Sequence, residues 1–353
     1  MKILQVMAGA KHGGAETAFV DMCIALHEAG ETVEVVTRTN DLRVPVLEAA
    51  GLKVHTLSFG GHADVFTRWK IASIIKKFQP DIVQTWMARA SWKTPRWSEA
   101  MKIPRYMLVS RLGGYYKLKY FKSADHFMTN TPDLRRYVIE NGIASERVTH
   151  INNFAPEEKA EAPLPRADFG TPMDAPLVLA LGRLHPSKAF DVLIKAVAGL
   201  PGVYLWIAGE GPKRKELEDL ITELKAGERV KLIGWQSDRA ALFAAGDICV
   251  VSSRFEPFGA VFVQAWAQKV PLITTDSAGP KQYVRDGEDA LLVPMEEVEA
   301  LRAAIARLIG DKTMKNQLVE AGYQRYLAEF TKENTVRRYL ELYHALRKGS
   351  LNL

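Results

Sequence analysis

Glu256 and Gln264 stand eight residues apart around Pro257, Phe258 and Gly259, directly after the apolar run Ile248 to Val251. A buried strand that feeds a helix through a Gly-containing turn leaves the first helical amides, here near Gly259, Ala260 and Val261, without intrahelical partners. Those amides and the helix dipole form a seat for an anion, most simply a diphosphate. On a helix running from the turn, Gln264 lies roughly 12 Å beyond Glu256. Acceptors on both sides of a diphosphate suit a ligand with hydroxyl-rich groups at each end, which is the layout of a nucleotide-sugar. The plainer reading is an ordinary helix start beside a surface Glu.

A second constellation supplies cations. The apolar run 177–181 leads into Gly182 and Arg183, and Lys188 follows just before a helical pattern. Two cations at the carboxyl end of a strand converge on the crevice where open α/β sheets bind ligands. Gly209 and Glu210 end another strand pattern, and Trp235 and Gln236 follow a third. Near the start, KILQVM runs into AGAKHGGAE, with Gly13 and Gly14 ahead of a helical repeat. Strand, Gly-rich turn and helix open a nucleotide-type fold. The turn lacks the G-x-G-x-x-G spacing, and no acidic residue follows the next strand, so a dinucleotide-dependent dehydrogenase fits poorly.

Residues 61–136 carry 15 Lys and Arg against 5 Asp and Glu, whereas the whole chain has a net charge of only +6. Within this block Trp86, Arg89, Arg111, Lys117 and Lys119 interleave aromatic and basic side chains, which suits a lipid headgroup interface or an anionic glycolipid. A solvated basic face without a partner is the alternative. Single-stranded nucleic acid would use similar chemistry, but no nucleic-acid motif accompanies it. The segment 65–79 alternates apolar and basic residues at helical period. It reads first as a helix covering a sheet and second as one lying on an anionic membrane.

At 353 residues the chain exceeds one typical core and fits two domains, with strand and helix patterns alternating through both. The irregular stretch 156–176, rich in Pro, Glu and Ala, reads as the linker. Cys23 and Cys249 lie inside helix and strand patterns and read as packing residues of a reducing compartment. No apolar run is long enough to cross a bilayer. The first nine residues are too short and Gly-broken for a signal peptide. No Asp-x-Asp pair is present to hold a metal.

The segment around Glu256 resembles the E-x7-E region of retaining glycosyltransferases of family 4, which have the GT-B fold: two Rossmann-like doubly wound α/β domains facing across a cleft. The resemblance covers nearly the whole chain. It implies an N-terminal acceptor domain at 1–165, a C-terminal donor domain at 166–330 and a terminal helix at 331–353 that packs back on the first domain. It further implies that Glu256 contacts the transferred sugar. The turn and amides of Phe258, Gly259, Ala260 and Val261, with Arg183 and Lys188, would hold the donor diphosphate. Gly13 and Gly14 would lie under the phosphates, and Gly209 and Glu210 near the base. The second Glu of the motif, a ribose ligand in the family, is Gln264 here, which weakens that contact. Ala189 replaces a frequent Gly, with little chemical cost expected. Relatives often carry a His after the strand that ends near Gln84, and none is found there.

The pattern is most similar to bacterial lipopolysaccharide-core glycosyltransferases, mannosyltransferases among them. It implies metal-independent transfer without a cofactor, from GDP-mannose or alternatively a UDP-hexose. The acceptor would be an anionic glycolipid at the cytoplasmic face of the membrane, where the protein would be peripheral, with no nucleic-acid partner. A degenerate GT-B glycan-binding protein and a nucleotide-sugar epimerase are the rival readings.

Overall fold

Short apolar runs form the strands, and those in mid-sheet are buried over most or all of their length, as β4 (Ile82–Trp86) and β5 (Met107–Leu112) are at every position. Such strands need cover on both faces, which the intervening amphipathic helices supply. The computed structural model describes residues 1–11, 13–61 and 64–349, and the chain divides into two compact units.

The first unit comprises Met1–Asn153 and the C-terminal segment from Lys332. Its parallel sheet contains β1 (Lys2–Met7), β2 (Thr32–Thr37), β3 (Lys53–Thr56), β4, β5, β6 (His126–Thr129) and β7 (Val148–His150) in the order β3-β2-β1-β4-β5-β6-β7. The second unit, Phe154–Thr331, holds β8 (Leu177–Leu181), β9 (Tyr204–Ala208), β10 (Val230–Gly234), β11 (Ile248–Val251), β12 (Leu272–Thr275) and β13 (Leu291–Val293). The order there is β10-β9-β8-β11-β12-β13, again parallel. Both sheets are doubly wound. The winding reverses between β1 and β4 in one and between β8 and β11 in the other, and the strand carboxyl ends at these points leave a crevice for ligands.

The boundary falls at Asn153 and Phe154, just ahead of the stretch 156–176 and 12 residues before the division expected at 165 and 166. The Pro-rich stretch is tied to the second unit by polar contacts that composition does not reveal. The Arg166 guanidinium donates to Ala245 O at 3.0 Å and to Asp247 at 2.9 Å, and the Leu164 amide donates to Ala241 O at 3.0 Å. Arg239 pairs with Glu158, and Gln268 donates to Glu158 O at 2.9 Å.

Trp86 and Arg111, expected at an acceptor or membrane surface, are 1% and 2% exposed. Both stand at strand ends under the C-terminal helix Lys332–Lys348, where apolar surface is worth more in the core than in a headgroup layer. The Trp86 indole N–H donates to Gln5 at 2.7 Å, and the Arg111 guanidinium lies 4.0 Å above the Trp86 ring. Arg111 also donates to the Tyr339 hydroxyl at 2.9 Å and to Asn153, while the Tyr343 hydroxyl donates to Gln84. Lys93, also in the basic block, is 4% exposed and donates to Gly61 O at 2.9 Å. Much of the aromatic and basic pattern thus builds the domain from within. Arg89, Lys117 and Lys119 do remain exposed.

Tyr343→Phe would leave the buried Gln84 amide oxygen without its donor, a loss expected to cost about 1–3 kcal/mol. Urea unfolding of the two proteins measures it, and coincident curves would refute the tie.

Candidate functional site

The second unit brings its loops together through glycines. Gly182 ends β8, Gly209 ends β9, and a β-carbon on Gly209 would lie 2.0 Å from the Gly182 carbonyl oxygen. One on Gly211 would lie 2.4 Å from Leu184 O. The two loops are laced backbone to backbone: Gly182 N–H donates to Ala208 O at 3.0 Å, Leu184 N–H to Glu210 O at 3.0 Å and Gly209 N–H to Gly234 O at 2.8 Å. Across the switch point, Gly279 N–H donates to Glu256 O at 2.7 Å, and a β-carbon there would stand 2.3 Å from Phe258 O. Gly279 was visible in the sequence only as part of a turn. Its role is to let the loop after β12 press against the loop after β11.

Lys188 follows β8 and Glu256 follows β11, so the two meet at the point where the winding reverses. The Lys188 ammonium and the Glu256 carboxylate form an ion pair whose side chains are 21% and 14% exposed. Two residues selected for separate duties, charge neutralisation and sugar contact, are therefore partners. Their loops are fastened together: Ser252 Oγ donates to Lys188 O at 2.9 Å, and the Arg254 amide donates to Ser187 O at 2.9 Å. Arg254, which sequence reasoning passed over, grips Asp191 with bonds of 2.8 and 2.6 Å and also pairs with Glu296. The bonds to Asp191 hold the Arg254 guanidinium above its already high ordinary value, with Glu296 adding to the effect and burial opposing it. Burial alone would raise Asp191, but its bonds to Arg254 prevail and set it below the usual carboxylate value. No local spacing signals this clamp, because Arg254 and Asp191 are 63 positions apart.

Beyond Glu256 the chain turns at Gly259, in a left-handed conformation with φ 97°, and the helix Ala260–Ala267 begins. No side chain caps it, and Ala260 and Val261 are half-buried at its open end. The late start corrects the expected spacing. Only four of the eight steps from Glu256 to Gln264 are helical, a rise of roughly 6 Å rather than 12 Å. Gln264 lines a small cavity with Pro156, Glu158, Arg239, Phe243 and Gln268. The Phe258 side chain belongs to the core, 5% exposed and 5.7 Å from the rings of Phe262 and Tyr283, so its part is to anchor the turn.

The remaining candidates are less engaged. Arg183 is exposed and makes no hydrogen bond or ion pair among the described residues. Glu210 pairs with Arg214 at 3.1 Å, and Gln236 donates to Ile233 O at 2.8 Å. Ala189 sits at φ 51° and ψ 37°, a left-handed backbone that Gly, expected here from the resemblance, adopts more easily. The departure carries a backbone cost of about 1 kcal/mol that its chemistry did not suggest. In the first unit, Gly13 caps the helix Gly14–Glu28 in extended backbone, and both glycines are exposed.

Residues 12–159 match the family described as Glycosyltransferase Family 4, and residues 163–325 match Glycosyl transferases group 1. The lipopolysaccharide core biosynthesis glycosyltransferase LpsE of Rhizobium meliloti is 35% identical over 344 residues, covering 97% of this chain and 98% of that protein. LpsD of the same organism is 32% identical over 351 residues, with the same coverage. Among solved structures, a glycosyltransferase from Rickettsia africae superposes with a TM-score of 0.83 at 20% identity, covering 97% of each chain. Anabaena HepE, solved with UDP and glucose, superposes with a TM-score of 0.84 at 21% identity, covering 98% of this chain and all (100%) of that one.

Gly279→Ala should destabilise the second unit by about 1–3 kcal/mol, because backbone must yield to the new methyl group. Gly14→Ala, with no atom within 4 Å of the added carbon, should change stability by less than about 0.5 kcal/mol. Thermal or urea unfolding of both variants compares them, and equal stabilities would refute the close approach.

Proposed function

The chain belongs to the family 4 glycosyltransferases with a group 1 C-terminal domain, and from that premise we propose that it moves a hexose from a nucleotide-sugar to a lipopolysaccharide-core acceptor. The GT-B fold is shared with the solved relatives. The observation that carries the donor reading is the Lys188–Glu256 pair beside an uncapped helix start at the switch point of the second sheet. Without a ligand, each charge neutralises the other. A donor diphosphate competes for the Lys188 ammonium and takes up the open helix amides. The Glu256 carboxylate is then free to accept hydrogen bonds from the sugar hydroxyls. Arg183, exposed on the same loop, adds a second cation for the phosphates.

Charge that develops on the leaving diphosphate is met by donors already in place, the kind of term worth several kcal/mol of barrier. These cations do the work a metal would do, so the transfer is metal-independent and needs no cofactor. The anomeric configuration is retained. GDP-mannose is the favoured donor, and the UDP found with HepE supports a UDP-hexose as the alternative. The names of LpsE and LpsD support the lipopolysaccharide-core acceptor.

The acceptor is lipid-borne in this reading, so the enzyme works at the cytoplasmic membrane face. No helix among the described residues is long and apolar enough to span a bilayer. The helix Val65–Phe78 supports peripheral attachment: Val65, Phe66 and Trp69 are 67%, 71% and 69% exposed, beside exposed Arg68, Lys70, Lys76 and Lys77. Apolar side chains ringed by cations suit anionic lipid.

Incubation with each nucleotide-sugar and extracted lipopolysaccharide core, with products read by mass, tests the transfer. One donor should raise thermal stability and give a product one hexose heavier. Glu256→Ala should lower the transfer rate by about 100-fold or more while nucleoside diphosphate still binds. Full activity in that variant, or no stabilisation by any donor, contradicts the reading. For the membrane, the double substitution Phe66→Ser, Trp69→Ser should weaken sedimentation with phosphatidylglycerol vesicles by about tenfold. Unchanged sedimentation would remove this helix from the contact.

A further inference from the structure

The first unit holds a group of cations that the donor chemistry does not use. Arg38 follows β2, Arg43 lies in the next helix, and Arg89 lies in the helix after β4. Their guanidinium groups gather where the winding of the first sheet reverses. Arg38 Nη2 donates to Phe59 O at 2.5 Å, and Arg89 Nη1 approaches the same oxygen at 3.4 Å. Arg38 also reaches Ser58 O at 3.0 Å and Gly9 O at 3.5 Å. Arg43, 5% exposed, donates to Ala10 O at 3.1 Å and to Thr37 Oγ1 at 3.0 Å. Its Nη2 would lie 2.9 Å from a β-carbon on Gly9. Gly9 and Phe59, which present two of these carbonyls, both have left-handed backbone, with φ 58° and 46°.

None of the three arginines forms an ion pair among the described residues. Glu16 is the acid that acts on Arg43, and its carboxylate already accepts from the Ala10 amide at 2.6 Å. Burial first, and then the charge of Arg89, push Arg38 below its ordinary value. Burial also lowers Arg43, with Glu16 opposing and Arg38 adding to the effect. Arg38 and Arg43 are partly desolvated and drawn toward Arg89, met by backbone carbonyls, the Thr37 hydroxyl and the field of the single acid Glu16, an excess of positive charge that a bound anion would relieve. Planar guanidinium forks suit the oxygens of a phosphoryl group.

We propose that Arg38, Arg43 and Arg89 form a binding site for a phosphate group carried by the sugar acceptor, separate from the donor diphosphate site at Lys188. The assignment to the acceptor rests on the transferase reading above, whereas the anion site itself does not.

Titration calorimetry on the full chain tests it, with inorganic phosphate as one probe and UDP and GDP as the others. Wild type should bind inorganic phosphate saturably. The double substitution Arg38→Gln, Arg89→Gln should weaken that binding by about tenfold or more. Nucleotide affinity in this variant should stay within about twofold, and Lys188→Ala should show the opposite pattern. Circular dichroism melts confirm that the variants are folded, and Arg38→Lys with Arg89→Lys should restore part of the phosphate binding. Absence of saturable phosphate binding in wild type, or undiminished binding in the Gln variant, overturns the site. Equal loss of nucleotide and phosphate assigns the arginines to the donor and overturns the acceptor proposal. Failure of wild type to bind any nucleotide bears on the transferase reading alone.

Discussion

Four loops of the second unit approach in two pairs more closely than any side chain permits. Gly209 stands against the Gly182 carbonyl, Gly211 against Leu184, and Gly279 against the carbonyls of Glu256 and Phe258. This steric constraint places backbone, rather than side chains, at the floor of the crevice. With the floor filled by peptide groups, Lys188 and Glu256 come from opposite sides of the switch point into contact, and the start of the helix Ala260–Ala267 stays uncapped beside them. The crevice thereby presents fixed dipoles and two charges.

The ion pair is held in a partly desolvated place, where its attraction exceeds that of a surface pair and removal of either member leaves an uncompensated charge. The surroundings prevent collapse onto other partners. Arg254 takes up Asp191 and Glu296, so neither acid competes for Lys188. Phe258 locks the following turn into an aromatic cluster with Phe262, Tyr283 and Phe330. The proposed exchange of partners between Lys188, Glu256 and a donor would thus leave their backbones fixed, which is the preorganisation that electrostatic catalysis requires.

What was legible from sequence was local. Periodicity marked the strands and helices, and Gly259 marked the start of the helix Ala260–Ala267. The same reasoning misread positions decided by distant contacts. Trp86 and Arg111 look like interface residues in a basic, aromatic stretch, yet Arg111 meets Tyr339, 228 positions away, under the last helix. Pro and Glu suggest a free segment at 156–176, whereas Arg166 and Glu158 bind it to the second unit. Gly279 and Arg254 escaped notice because a close approach and a clamp exist only once remote loops meet. Ala189 reads as a mild replacement until its left-handed backbone is seen.

The most direct test is a crystal structure with a nucleoside diphosphate bound. The account predicts that the diphosphate sits on the amides of Gly259, Ala260 and Val261, with the Lys188 ammonium transferred from Glu256 to a phosphate oxygen and the Glu256 carboxylate turned toward the vacated sugar position. A nucleotide bound elsewhere, with Lys188 still paired to Glu256, would contradict it.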